Sequence, residues 1–112
     1  MLDILIKTLK TGCQTTKYPD VPDVAPGGFR GMPQLLSDKC TFCGECVKVC
    51  PPGVITITER SNEKTLALSY CGCIFCARCE EVCQSDAVKL TQEYELASLA
   101  KEELVTIIRR KL

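Results

Sequence analysis

The sequence contains no histidine and no tryptophan, and it has only three phenylalanines and three tyrosines among 112 residues. Without histidine there can be no mixed Cys/His zinc site and no histidine-ligated Rieske centre, and general-base chemistry loses its commonest group. The few aromatic side chains limit the apolar core of a small domain, so other links must hold the fold together. No apolar run is long enough to cross a membrane.

An excess of charge of one sign is also lacking, because 14 basic and 14 acidic residues balance each other. A neutral chain gives no reason to expect a nucleic-acid partner, and its mixed surface suits a subunit packed against neighbours. Cysteine, in contrast, is abundant, with ten residues. A secreted disulfide framework would use that many cysteines, but Lys7 and Lys10 interrupt the N-terminal apolar segment, unlike a signal peptide. We therefore expect a reducing, cytoplasmic compartment.

Two copies of one four-cysteine pattern lie 33 residues apart and use eight of the ten cysteines. The first copy contains Cys40, Cys43, Cys46 and Cys50, and the second contains Cys73, Cys76, Cys79 and Cys83. This spacing is typical of bacterial-type ferredoxins, whose thiolates hold two 4Fe–4S clusters. Zinc more often takes two well-separated Cys-x-x-Cys pairs, so the pattern favours clusters over zinc. The predicted role is one-electron transfer, and no catalytic residue is predicted.

The ligand sets follow from the position of the last cysteine in each copy, which in this pattern binds the cluster of the other copy. We predict that cluster 1 is bound by Cys40, Cys43, Cys46 and Cys83. Cluster 2 is then bound by Cys73, Cys76, Cys79 and Cys50. Pro51 follows the first copy and Gln84 follows the second, a departure that leaves ligation intact. Cys13 and Cys71 remain as spare cysteines, although Cys71 lies close enough to Cys73 to compete as a ligand.

The predicted fold is α+β, with a two-cluster ferredoxin-like domain at residues 36–91 that has a pseudo-twofold repeat. Each half is predicted to contain a cysteine loop, a short helix that carries the last two cysteines, and a strand. Residues 54–58 and 65–69 alternate as a hairpin, and Val88–Leu90 forms a third strand. Four prolines and three glycines exclude regular structure from residues 18–34. Residues 13–35 are therefore predicted to form an extended arm, which we expect to lie on a partner.

Amphipathic helices are predicted at both ends, at residues 1–12 and 92–112. In the first, Leu2, Leu5, Ile6 and Leu9 recur at helical spacing. In the second, an apolar stripe runs from Leu96 to Ile108. Each helix has two possible positions: it packs on the domain's own small core, or it lies on a partner or, for the first, a membrane surface. We expect both to contact a partner.

The flanking motifs Tyr18-Pro19 and Phe29-Arg30-Gly31 resemble the two-cluster subunit of respiratory complex I. Together with the hairpin sequence from Ile55 to Thr65, they resemble more closely the matching subunit of membrane-bound, energy-converting nickel–iron hydrogenases. The resemblance implies a subunit that is not an enzyme by itself and lies peripherally on the cytoplasmic face of the membrane, without spanning it. Electrons would arrive from a reduced ferredoxin or a CO- or formate-oxidising module and leave toward the hydrogenase small subunit.

Two alternatives remain open from the residues alone. One is a free soluble two-cluster ferredoxin, and the other is the ferredoxin-like subunit of a soluble 2-oxoacid oxidoreductase. The arm and the two amphipathic ends favour a fixed subunit over a free carrier.

Overall fold

The fold is assembled from short helices and strands, and a computed structural model describes it for residues 2–12 and 15–111. The helices are α1 (Leu2–Thr11), α2 (Glu45–Val49) and α3 (Arg78–Glu81). The strands are β1 (Pro33–Leu35), β2 (Ile55–Arg60), β3 (Glu63–Ser69), β4 (Val88–Leu90) and β5 (Val105–Lys111). Short 3₁₀ turns occupy Tyr70–Gly72 and Lys101–Leu104. The small α+β fold is as predicted.

The predicted hairpin is confirmed, with both strands somewhat longer than expected. β2 and β3 are antiparallel, and Arg60 pairs with Glu63 beside the turn. Ser61 has a positive φ of 49°, which lets the chain reverse within two residues. The inward side chains of this hairpin are among the most deeply buried in the described structure, since Ile55 and Leu66 are each 2% exposed.

The prediction of a C-terminal amphipathic helix is wrong, because Val105–Lys111 forms strand β5 antiparallel to β3. The run Val105-Thr106-Ile107-Ile108 consists of β-branched residues, which pack better on a pleated strand than on a helix. The second edge of β3 also offers unpaired backbone groups that β5 satisfies. Ile108 is 8% exposed and pairs with Leu66, whereas Ile107 on the opposite face is 49% exposed.

The arm also departs from prediction at its C-terminal end, where Pro33–Leu35 forms strand β1 and pairs with β4. The expectation that residues 18–34 hold no strand is therefore wrong for Pro33 and Gln34. Pro33 is the first residue of β1, a position where the absent N–H is tolerated. β4 itself is present at Val88–Leu90, as the sequence predicted.

The segment just before β1 lies on the chain's own residues 91–94, where we had expected a partner. The Gly31 N–H donates to the Thr91 carbonyl at 2.9 Å, and the Met32 N–H donates to the Glu93 carbonyl at 2.8 Å. A Cβ added to Gly31 would stand 2.2 Å from the Glu93 carbonyl oxygen. Only glycine therefore allows the two backbones to approach this closely.

The two sheets are joined through Tyr70, which follows β3. Its hydroxyl donates to the Pro33 carbonyl at 3.0 Å and lies 2.6 Å from the Thr106 hydroxyl. The buried apolar core contains residues of both sheets and of the first cysteine loop: Leu35, Cys40, Phe42, Cys46, Ile55, Leu66, Leu68, Ala87, Val88 and Ile108. The β5 strand thus completes the core and positions its last residues beside the first cysteine loop.

Helix α1 is present as predicted at the N-terminus, but none of its residues is buried. Leu2, Leu5 and Leu9 are 74%, 62% and 77% exposed, so the apolar face has no cover from the described chain. Among residues 2–12 and 15–111, no helix combines the length and apolarity needed to span a bilayer. Cys13 lies outside the described residues.

Candidate iron–sulfur site

The two cysteine loops share an unusual backbone conformation at positions 33 residues apart. Phe42 and Phe75 have positive φ angles of 56° and 52°, and Gly44 and Ala77 have 81° and 67°. These left-handed residues curl each loop, and Gly44 and Ala77 then serve as N-caps of α2 and α3. Left-handed residues of this kind allow backbone N–H groups to face the inside of a loop, where they can meet cysteine sulfurs.

The helices carry fewer cysteines than the sequence suggested. Cys46 lies in α2 and Cys79 in α3, but Cys50 is the C-cap of α2, and Cys83 follows the C-cap of α3. We expected the last two cysteines of each copy to lie on the helix. The last cysteine therefore lies where the chain leaves the helix, with backbone that is free to turn away from its own loop.

The first group of cysteines surrounds a pocket beside the hydrophobic core. The pocket is lined by Cys40, Cys43, Cys46 and, from the second copy, Cys83. Burial, together with the proximity of the other three cysteines of this group, raises the pKa of the Cys46 thiol to about 11, although the Val47 N–H opposes this shift. Cys40 and Cys46 are buried, whereas Cys43 is exposed.

The second group shows the reciprocal arrangement. Burial raises the pKa of the Cys79 thiol to about 11; the Glu80 N–H opposes this shift, while nearby Cys73 and Cys76 add to it. Burial likewise raises the pKa of the Cys73 thiol, with contributions from Cys50 and Cys76. Cys50 of the first copy is therefore an electrostatic neighbour of the second copy. A cationic metal centre would hold such thiols as thiolates.

Cys83 differs from the other cysteines because several hydrogen bonds converge on its sulfur. Burial alone would raise the pKa of this thiol, but the Ser85 hydroxyl and the backbone N–H groups of Ala87, Val88 and Ser85 together lower it. The Ala87 N–H donates to the Cys83 Sγ at 3.2 Å, and the Ser85 Oγ lies 3.5 Å from the same atom. N–H and O–H groups aimed at sulfur are the environment that a cluster thiolate requires.

Two arginines that the sequence analysis did not single out as site residues reach these loops. The Arg110 Nη1 donates to the Cys40 carbonyl at 3.1 Å, and the Arg30 Nη1 donates to the Cys76 carbonyl at 3.4 Å. Arg110 lies on β5, which the sequence predicted as a helix. No local sequence signal announces either contact, because each joins residues that are far apart in the chain.

Cys71 is exposed and lies in the turn Tyr70–Gly72, two residues before Cys73. Within the described residues, no three cysteine or carboxylate side chains converge closely enough to bind one shared metal ion. A 4Fe–4S cubane makes a different demand, because each thiolate binds its own iron atom. Four thiols around a common space, with N–H donors directed at sulfur, fit such a cluster.

Comparison with known proteins identifies the cluster-binding region. Residues 39–93 match the family model of the 4Fe-4S dicluster domain. The prediction of two 4Fe–4S clusters is therefore confirmed.

A curated relative and a solved structure are also similar to this chain. Formate hydrogenlyase subunit 6 of Escherichia coli (strain K12) is 39% identical over 57 residues, which cover 51% of this chain and 32% of that protein. A chain of the membrane-bound sulfane sulfur reductase, an archaeal respiratory membrane complex, aligns with a TM-score of 0.64 and 25% identity over 90% of this chain and 56% of that one. The chain thus spans about a third and about half of these two proteins.

A further relative is matched over most of its length. NADH-quinone oxidoreductase subunit I of Carboxydothermus hydrogenoformans is 41% identical over an alignment of 118 positions, which covers 98% of this chain and 84% of that protein. The likeness includes the arm and α1 as well as the cysteine loops. This chain accordingly belongs to the family of 4Fe-4S dicluster subunits represented by NADH-quinone oxidoreductase subunit I.

Proposed function

We propose that this chain is the electron-transfer subunit of a membrane-bound hydrogenase or complex I-like assembly and is not an enzyme by itself. One observation carries the proposal. The match to NADH-quinone oxidoreductase subunit I covers 98% of the chain, whereas the dicluster domain comprises only residues 39–93. A free ferredoxin needs only the cluster domain. Because the similarity extends through α1 and the arm, it favours a subunit whose flanking segments contact other subunits of an assembly.

We further propose the crossed ligand sets. Cluster 1 would be held by Cys40, Cys43, Cys46 and Cys83, and cluster 2 by Cys73, Cys76, Cys79 and Cys50. Support comes from the pocket that Cys83 shares with the first copy and from the electrostatic influence of Cys50 on Cys73. When bound, each cluster supplies one-electron redox chemistry. The chain contributes the thiolates, the N–H donors to sulfur and the shielding of Cys40 and Cys46 from water.

The direction of electron flow is part of the same proposal. Electrons would enter from a reduced ferredoxin or from a CO- or formate-oxidising module and leave toward the small subunit of a nickel–iron hydrogenase. The names of two relatives, a formate hydrogenlyase subunit and an NADH-quinone oxidoreductase subunit, support a place between an electron-input module and a second subunit.

We propose that α1 attaches the subunit to the membrane part of the assembly on the cytoplasmic face. Leu2, Leu5 and Leu9 share one face of α1 and are each more than 60% exposed. Burying one such side chain is worth about 1.5–3 kcal/mol relative to leaving it in water. A partner surface that covers this face would bury several such side chains, and each would contribute about that free energy to binding. The C-terminal segment has a different role, since β5 is a strand of the chain's own sheet.

The test uses two leucine or isoleucine positions on opposite faces of α1. Leu9→Glu places a charge on the apolar face, and Ile4→Glu places one on the opposite face, where the side chain is also exposed. We expect Leu9→Glu to abolish co-purification of the chain with cell membranes and Ile4→Glu to preserve it, with equal iron content in both variants. A full-length chain that purifies as a soluble monomer and binds no membrane partner would instead establish the free-ferredoxin alternative.

A further inference from the structure

A positive charge from the C-terminal strand lies against the first cysteine loop. The Arg110 guanidinium donates to the Cys40 carbonyl at 3.1 Å, in a partly buried contact between residues 70 positions apart. Arginine stays protonated at any pH the protein meets, so this charge is permanent. A permanent cation beside a ligand residue affects any redox centre that the loop holds.

Strand geometry explains why Arg110 and not its neighbour reaches the loop. Successive side chains of a strand point to opposite faces, so Arg110 shares a face with buried Ile108. Arg109 points to the other face with half-exposed Ile107. The same short stretch of β5 therefore carries two arginines, of which one contacts the cysteine loop through its guanidinium.

We propose that Arg110 sets the reduction potential of the cluster bound by Cys40, Cys43, Cys46 and Cys83. Reduction adds one negative charge to a cluster, and a nearby cation stabilises the reduced state more than the oxidised one. Arg110 thus raises the potential of this cluster and makes it the better electron acceptor of the two. This inference rests on the ligand sets proposed above but not on membership in any assembly.

The second loop has a weaker counterpart. Arg30 donates to the Cys76 carbonyl at 3.4 Å, in an exposed position. Both arginines are exposed residues, but the Arg110 contact is shorter and partly buried, so water screens it less than the Arg30 contact. The two cluster loops are therefore electrostatically unequal, with the stronger cation on the first.

The experiment is a redox titration of the full-length, cluster-loaded chain, monitored by EPR, with iron content measured in each sample. Arg110→Gln removes the charge but keeps an amide N–H that can donate to the Cys40 carbonyl. We expect it to lower the reduction equilibrium constant of one cluster about tenfold, which corresponds to about 59 mV for one electron. Arg110→Lys keeps the charge and should preserve most of the potential. Arg109→Gln, the matched control, should shift it much less.

The cluster that responds is identified with Cys83→Ser and Cys50→Ser samples, each of which perturbs one EPR signal. The proposal is overturned if Arg110→Gln and Arg109→Gln shift the potential equally, or if the responding signal is the one that Cys50→Ser perturbs. Loss of iron in Arg110→Gln would also overturn it, because the contact would then hold the loop in shape instead of setting its potential. Success or failure here leaves the membrane-association test unaffected, since no partner is present in the titration.

Discussion

The role of β5 as a structural strand predicts a large difference between two adjacent isoleucines. Ile108 is 8% exposed and pairs with Leu66 in the core, whereas Ile107 is 49% exposed on the opposite face. Replacing a well-buried isoleucine by alanine costs about 2–5 kcal/mol, because apolar contacts are lost and a cavity remains. A side chain that is half in water gives up about half of its transfer energy, or about 1 kcal/mol. Ile108→Ala should therefore be several times more destabilising than Ile107→Ala.

The assay is thermal unfolding of the cluster-loaded protein, followed by circular dichroism and by the visible absorbance of the clusters. For a domain of this size, each 1 kcal/mol shifts the midpoint by about 4–8 °C. We expect Ile108→Ala to lower the apparent midpoint by about 10 °C or more, and Ile107→Ala by about 5 °C. Both variants must be heated at one scan rate, because cluster loss makes unfolding irreversible. Equal shifts in the two variants would refute β5 as a core strand.

Two further predictions concern the arm and the ligand sets. Gly31→Ala should lower thermal stability and expose the arm to limited proteolysis, because the added Cβ meets a backbone carbonyl at 2.2 Å. Gly27→Ala, whose added Cβ meets nothing within 4 Å, should behave as wild type. Similar proteolysis patterns in both variants would refute the close approach of the two backbones at Gly31. Cys83→Ser should perturb the EPR signal of the cluster on the first loop, and Cys50→Ser that of the other cluster. Cys71→Ser should perturb neither, since Cys71 is exposed and lies outside both proposed ligand sets. A lost signal in Cys71→Ser would contradict the ligand sets.

The parts of the fold that were predicted correctly depend on local patterns. The hairpin shows strand alternation on both sides of its two-residue turn, and α1 repeats its leucines at helical spacing. The two clusters could be predicted because the cysteine spacing is itself a local pattern, whereas the assignment of the eight cysteines as ligands stays a prediction. Equal left-handed conformations at Phe42 and Phe75 agree with the repeat, although the pseudo-twofold relation of whole halves stays a prediction.

The parts that were missed depend on distant pairing. The stripe from Leu96 to Ile108 satisfies a helical period, and only the availability of the β3 edge decides that its last residues form a strand. β1 was missed because two of its three residues belong to a segment rich in proline and glycine, which reads as irregular. The arginine contacts with the cysteine loops could not be predicted from the sequence, because they too join residues that are far apart in the chain. Arg110 meets Cys40 only after β5 has paired with β3.

The strand order β2-β3-β5 also bears on how the molecule avoids self-association. β5 is an edge of this sheet, and within the described residues its outer backbone groups have no strand to pair with. An open edge invites a second chain to add its own strand and begin an aggregate. β5 ends in Arg109-Arg110-Lys111, and two copies paired edge to edge in parallel would bring these like charges side by side, which is destabilising. The charge at the end of the strand thus disfavours parallel pairing at an edge that the short sheet leaves open.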